Sequence, residues 1–294
     1  MSLTVLDPGL YSLLVDRGRP GSRSLGVPVG GAADQAAYTL GNALLGNAPD
    51  AVALELTLTG PTLRADRPTA CVVFGAPFSL TISESRPVVA GMTFTLQAGE
   101  VLRIGGTPEG VRGYLGVAGG FDCPVILGSR SALDPLHRDD VLHCAESQTP
   151  GRALPFVSLS SQSIRVLDGP QRDWFADDSF FTQTYTVTPA SNRMGLRLTG
   201  QPLTRRPGEM VSEAVAPGAV QVTNDGLPIV LGVDGQTIGG YPKVAHVIRA
   251  DLDLLAQLRP GTTVRFVRVT QDEAEAAAKE RTAMLGEWLL RLRM

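Results

Sequence analysis

Two glycine-rich stretches in the second half of the chain hold the side chains with the most chemical reach, SNRMGLRL (191–198) and PIVLGVDGQTIGGYPKVAHVI (228–248). Arg193 presents five donors in a rigid fork, which suits a carboxylate or a ureido-type carbonyl. Gln236 can donate and accept at an amide edge, and Tyr241 can stack or hydrogen-bond at a rim. Asn192, Thr237, Gly239 and Gly240 stand beside them in sequence as candidate binding residues, the glycines because a chain without Cβ can approach another group closely. The two loops are therefore expected to face one pocket. Two earlier stretches, GRPGSRSLGVPVGGAADQAA (18–37) and RGYLGVAGGFDCPVILGSRSA (112–132), share the composition. Tight turns between strands would also look like this, and composition leaves both readings open.

Other chemistries find little support. There is no phosphate-binding Walker loop, no GxSxG elbow and no HExxH, and none of the Gly pairs precedes Lys-Ser or Lys-Thr. His137, His143 and Cys144 lie near Asp134, Asp139 and Asp140, but their spacing matches no standard site, so no metal is expected. His246 alternates with Val244 and Ile248 and reads as structural. A net charge of −3 offers no footprint for nucleic acid. The three cysteines form no Cys-x-x-Cys pair, and Cys71 in CVVF reads as a small core residue. No leader pattern opens the sequence and no apolar run approaches the ~20 residues of a membrane span, so a cytoplasmic protein is expected.

The elements that must position these groups are mostly short strands. Candidates are 11–16, 53–58, 71–74, 78–82, 101–104 and 111–117, then 164–167, 219–222, 228–233 and 263–269, each apolar or β-branched and bounded by turn residues. Three helices are expected: 35–45 with Asp34 as N-cap and Gly46 as stop, 250–258, and a tail over 271–293. In the tail Ala274, Ala278, Leu285, Trp288 and Leu292 recur at helical spacing and form one apolar face. LTLTGPTL (56–63) echoes LRLTGQPL (196–203), and AGEVLRI (98–104) echoes PGTTVRF (260–266). Two related barrels split near 147–163 would explain the echo, as would chance.

Several blocks in order carry a family resemblance. GVPxxGxxD (26–34), AxxLxNxLLGN (37–47) and LELTLTGPTL form a first block, and RxYLxVAGGFDxPxxLGSRS (112–131) a second. SNRMGLRLTGxPL, GAVQVxxDGLPIVL, VDGQTIGGYPKVAHVI and ADLDLLAQLRPGTTVRF form the last. The sequence resembles the family of 5-oxoprolinase C subunits, also called the allophanate hydrolase subunit 2 or biotin-dependent carboxyltransferase family, over roughly residues 3–275. It departs from that pattern at Val15, where the family's QDxGR motif has Gln, and in AESQTPGRALPF (145–156), which keeps only Gly151 and Arg152 of a longer signature.

The resemblance implies a mainly β fold of cyclophilin-like barrel domains: an N-terminal domain over 1–155, a second over 156–270, and the tail helix 271–294. It implies a subunit of an ATP-dependent 5-oxoprolinase that opens 5-oxo-L-proline to L-glutamate with A-type and B-type (KipI-like) partner subunits. The alternatives are the carboxyltransferase component of a urea-type carboxylase, with biotin carried on a partner, and a non-catalytic regulator that binds a KipI-like protein. A homo-oligomer is also compatible. In the lactam reading Arg193, Asn192 and Gln236 are assigned to the developing oxyanion, and Glu213 or Asp34 to a proton. Asp34 could equally be only a helix cap, and Arg193 could simply pair with a carboxylate.

Overall fold

The computed structural model describes residues 2–154 and 162–293. The chain forms two compact units, one of Met1–Gly18, Asp34–Leu159 and Leu285–Met294, the other of Arg19–Ala33 and Ser160–Met284. The domain boundary expected between 155 and 156 lies outside the described residues.

In the first unit, alternating apolar residues give two antiparallel sheets one buried face each. One sheet has six strands in the order Val141–His143, Ser2–Asp7, Thr62–Ala65, Val101–Ile104, Leu80–Ile82, Arg86–Val88. The other has five: Ser12–Val15, Ala53–Thr57, Arg112–Val117, Thr69–Gly75, Phe94–Leu96. Leu3, Val5, Leu63 and Leu102 from one share a core with Leu54, Leu56, Val73 and Leu115 from the other. Thr69–Gly75 and Arg112–Val117 are buried along their whole length because the helix Gln35–Leu44 packs over their second face. Its N-cap is Asp34, whose carboxylate accepts from the Ala37 amide at 2.9 Å.

The first unit thus consists of two sheets, each burying its apolar face against the other. The echo between halves does not extend to the strand arrangement. In the first unit Ala53–Thr57, which aligns with Gly195–Thr199, and Val101–Ile104 lie in different sheets, whereas in the second the aligned strands Gly195–Thr199 and Thr263–Arg268 share one barrel with Tyr185–Val187 between them.

The second unit is a closed barrel of seven strands: Ser163–Asp168, Lys243–Val247, Ala219–Val222, Pro228–Leu231, Gly195–Thr199, Tyr185–Val187 and Thr263–Arg268. All pairings are antiparallel except the one that closes the ring, where Ser163–Asp168 runs parallel to Thr263–Arg268. Its core is aromatic at one end, with Phe180 stacked on Phe266 at 4.7 Å and Tyr185 edge-on to Phe266 at 5.8 Å.

The helix expected over 250–258 forms only as a 3-10 turn, Arg249–Asp251, followed by one α turn, Leu252–Leu255. Asp251 is drawn inward instead, its carboxylate accepting from the Arg165 amide and guanidinium at 2.6–3.1 Å. The tail helix runs Gln271–Arg293. It opens on a capping box in which Glu273 accepts from the Thr270 amide and hydroxyl and donates its own N–H to that hydroxyl oxygen. Ala274 and Ala277 are buried against Ile248 and Ala250, while Leu285, Trp288 and Leu292 are half-buried on the apolar face.

Candidate functional site

Within the barrel unit the SNRMG and DGQTIGGYP loops meet, and Arg193 joins them. Its Nε donates to Asp234 Oδ2 at 2.6 Å, and its Nη2 donates to Asp234 Oδ1 at 2.9 Å and to the Gly31 carbonyl at 2.7 Å. The backbone repeats the contact: Asp234 N–H donates to the Arg193 carbonyl at 3.2 Å and Gly232 N–H to the Met194 carbonyl at 2.9 Å. A Cβ on Gly232 would stand 2.3 Å from the Arg193 carbonyl, so the approach needs glycine. Asn192 is exposed, and its side-chain oxygen accepts from the Met194 amide at 2.8 Å, which shapes the turn. The fork read as a ligand receptor is thus engaged by Asp234 and Gly31 of the same unit.

Gln236, Glu213 and Gly239 come together a few residues on. Glu213–Ala214 pairs with Ile238–Gly239, placing Glu213 opposite Gly239. Thr237 is buried, and its carbonyl accepts from the Val215 amide at 3.0 Å. Gly240 and Tyr241 are exposed just beyond. Asp34 lies in the other unit: it is buried there as the helix cap, and its amide donates to the Tyr114 hydroxyl at 2.8 Å.

Two residues that the sequence did not single out complete the barrel-side cluster. Gln221 sits in the apolar strand Ala219–Val222, whose Val220 and Val222 belong to the core. Lys243 starts the neighbouring strand and pairs with Gln221 across a register shift, since Val220 pairs with Ala245 and the next residue skips to Lys243. In an unbroken ladder Lys243 would stand opposite Val222 and share its inward direction; the extra residue turns it to the face of Gln221. Both side chains are buried, Gln221 2% and Lys243 6% exposed. The Lys243 ammonium bonds to Glu213 Oε1, to which Gln171 Nε2 also donates at 2.7 Å. These hydrogen bonds, Lys243 first and Gln171 second, hold the Glu213 carboxyl below the usual carboxylate range. Gln236 Nε2 donates to Gln221 Oε1 at 3.3 Å. The one available signal was a polar residue inside the run AVQV, and a period-2 strand with a solvated face explains such a residue equally well.

The first unit builds its own polar centre. Asp16 accepts from Ser129 Oγ, Ser131 Oγ and the amides of Arg130 and Gly18, all at 2.6–2.7 Å. Burial pushes its carboxyl up, but these four donors outweigh it and hold the group below its ordinary range. The GSRS loop is thereby fixed to the strand Ser12–Val15. Beside it lies a cleft of about 690 Å³ lined in part by Asp50, Gly120, Phe121, Asp122, Arg130 and His143.

Comparison with known proteins gives this geometry its context. The sequence matches the family described as "Carboxyltransferase domain, subdomain A and B" over residues 25–268. It is 34% identical to the 5-oxoprolinase C subunit of Escherichia coli across 99% of this chain and 98% of that protein. It is also 34% identical to the 5-oxoprolinase C subunit of Haemophilus influenzae, over 97% of each. The solved urea carboxylase of Kluyveromyces lactis superposes with a TM-score of 0.89 at 28% identity, covering 98% of this chain and 29% of that one. The chain spans under a third of that enzyme but nearly all of the two bacterial subunits, and by match and by fold it belongs to the carboxyltransferase-domain family, as the sequence blocks implied.

Proposed function

We propose that this chain is the C subunit of a 5-oxoprolinase, opening the lactam of 5-oxo-L-proline to L-glutamate in an assembly with A-type and B-type subunits. The observation that carries this is the extent of the similarity, 98% of the length of the E. coli protein. The match spans nearly the whole length of the two bacterial subunits but only a segment of the urea enzymes.

Opening a lactam requires its carbonyl to become electrophilic and the oxygen to take up negative charge. In the assembled complex ATP supplies the activation, and this chain's part is to bind and polarise. The amide ends of Gln236 and Gln221 and the Lys243 ammonium are donors of the type a lactam oxygen accepts, and Glu213, held anionic, is an acceptor for the lactam N–H. The same donor set fits the ureido carbonyl of a biotin carried by a partner, which supports the carboxyltransferase component of a urea-type carboxylase as the second reading; the K. lactis superposition favours it. Arg193 and Asn192 hold the loop that brings Asp234, and next to it Gln236, into place. Gly239 packs against the amide ends of Gln221 and Gln236, Thr237, Gly240 and Tyr241 belong to the same segment, and Asp34 caps the helix of the first unit. The cytoplasm is the compartment proposed for this work.

Reconstitution tests the reading. ATP-dependent 5-oxoproline hydrolysis should be absent from the purified chain and restored when it joins the A-type and B-type subunits. Appreciable turnover by the chain alone, or full activity of those two partners without it, would defeat the proposal. Carboxylation of urea on addition of a biotin carboxylase would install the second reading instead.

A further inference from the structure

Within the first unit, residues 123–129 project as a small hairpin knob from the edge of the cleft described above. Asp122 at its start and Arg130 at its end both line that cleft. Ile126 and Ser129 exchange backbone hydrogen bonds of 2.7 and 3.1 Å, with Leu127 and Gly128 between them at φ +52° and +78°. A two-residue hairpin turn with both central residues in the left-handed region favours asparagine or aspartate before its glycine. A leucine is strained there. It is also wet: Val125, Ile126 and Leu127 are 43–58% exposed, and Leu133 just beyond the knob is 67% exposed.

The knob is held in this posture. Ser129 Oγ and the Arg130 amide each donate to Asp16 at 2.6 Å, and Arg130 Nη1 donates to Asp122 Oδ1 at 3.2 Å and to the Cys123 carbonyl at 3.0 Å. Both ends of the hairpin are clamped, so its apolar tip cannot fold back onto the body. Asparagine at position 127 would make the same turn with less strain and no apolar surface. A strained leucine at a rigid, exposed tip calls for a surface that covers it.

The neighbouring cleft supplies that surface on a second copy. Its volume of about 690 Å³ is of the size that encloses a drug-sized body, and Ala48, Ala51, Gly119 and Ala145 are among the small residues of its lining, with Phe121 beside them. Because knob and cleft stand side by side, one two-fold axis seats each knob in the other copy's cleft, as an isologous contact requires. Four side chains about half exposed present roughly 200–400 Å². That falls short of the ~800 Å² per partner of a standard interface, so a single insertion is too small, whereas the reciprocal pair makes it twice and adds the rims. Charge agrees. The cleft carries Asp50 and Asp122 as well as Arg130, whose side chain is 44% exposed, so the reciprocal contact sets Arg130 of each copy among carboxylates of the other.

We propose that this chain self-associates as a two-fold dimer in which the Val125–Ile126–Leu127 tip of each copy occupies the cleft between Ala48 and Phe121 of the other. The inference is independent of the reaction proposed above.

Sedimentation velocity on the full chain over a concentration series tests it. Leu127→Asn keeps the turn, so Tm should hold or rise, while the dimer Kd should rise at least ~10-fold, equivalent to ~1.4 kcal/mol. Ala48→Trp fills the cleft from its exposed edge, leaves the knob untouched, and should weaken the dimer to a similar degree. A mixture of the two variants regains one knob-in-cleft contact and should dimerise more tightly than either variant alone. A wild-type chain that stays monomeric throughout the series would overturn the proposal, as would a dimer that Leu127→Asn leaves intact. Weakening by Leu127→Asn but not by Ala48→Trp would take the tip out of the cleft and overturn it too. A monomeric wild type that loses assembly with the A-type and B-type subunits on Leu127→Asn would give the knob to a partner subunit instead of a second copy. None of these measurements reads turnover, so the oxoprolinase reading stands or falls separately.

Discussion

Arg193 and Asp234 lock two loops of the barrel unit together through two parallel hydrogen bonds of 2.6 and 2.9 Å, with the Arg193 side chain almost wholly buried. A guanidinium and a carboxylate meet this way only in one relative orientation, so the pair fixes the direction of the loop that continues into Gln236 as well as its distance.

Arg193→Lys keeps the charge and loses the fork. It cannot hold both Asp234 oxygens and the Gly31 carbonyl. A loss of ~1–3 kcal/mol in unfolding free energy is expected, since buried groups lose charged hydrogen bonds. Activity of the assembled complex should fall at least ~10-fold as Gln236 loosens. Chemical denaturation and steady-state kinetics on one preparation check both; wild-type values in each would remove Arg193 from the site's support.

Two glycines should separate packing from chemistry. At Gly232 a methyl group would press on the Arg193 backbone carbonyl at 2.3 Å, which cannot move without the loop. Gly232→Ala should therefore destabilise by roughly 1–3 kcal/mol or more, as overpacking does. At Gly239 it would meet only the amide ends of Gln221 and Gln236, which can rotate away. Gly239→Ala should keep Tm within a few degrees and yet abolish most activity. Equal Tm losses in the two variants would contradict this assignment.

Asp16 predicts an acid limb. Its folded carboxyl titrates below the ordinary 3.8, so its stabilisation is fully present above that value and is lost as pH falls through the lower folded one. Asp16→Asn, which cannot accept from four donors at once, should be destabilised at pH 6, and its deficit relative to wild type should shrink below pH 4. Thermal melts between pH 3 and 7 measure this. A deficit constant across that range would assign the loss to packing.

Removal of residues 276–294 takes away Ala277, the Arg281–Asp253 bond at 3.2 Å and the apolar face of Leu285, Trp288 and Leu292. The shortened chain should bind more hydrophobic dye, melt earlier or assemble less well, with kcat per assembled complex retained. Loss of kcat in a chain that still assembles and melts normally would move the helix into the site.

The strands were legible because β-branched runs between turn residues have few other ways to bury themselves, and the tail helix because its apolar spacing and the Thr270–Glu273 box agree. Asp34 as a cap was legible for the same local reason. Three things were not. Closure of the barrel depends on the parallel pairing of Ser163 with Arg265, a contact between distant strands that leaves no local pattern. The inward turn of Asp251 outcompeted the helix its neighbours favour, because a tertiary partner, Arg165, was waiting. Most telling for function, Lys243 reaches Gln221 only through a one-residue register shift, and nothing in GGYPKVAH announces where a ladder will slip.

The segment Arg19–Ala33 belongs to the barrel unit although the rest of that unit begins at Ser160. Arg193 closes on a carbonyl that precedes it by 162 residues. On the ribosome this strip of chain is made early and must wait, unpartnered, until the barrel strands emerge. A gene fragment cut between the two expected domains would encode a barrel without the Gly31 carbonyl or the Gly30 amide that Val233 accepts from. Long loops of this kind close slowly. The order of synthesis therefore makes the loop that carries Asp234 one of the last parts of the molecule to mature, and ties its maturation to the intact polypeptide.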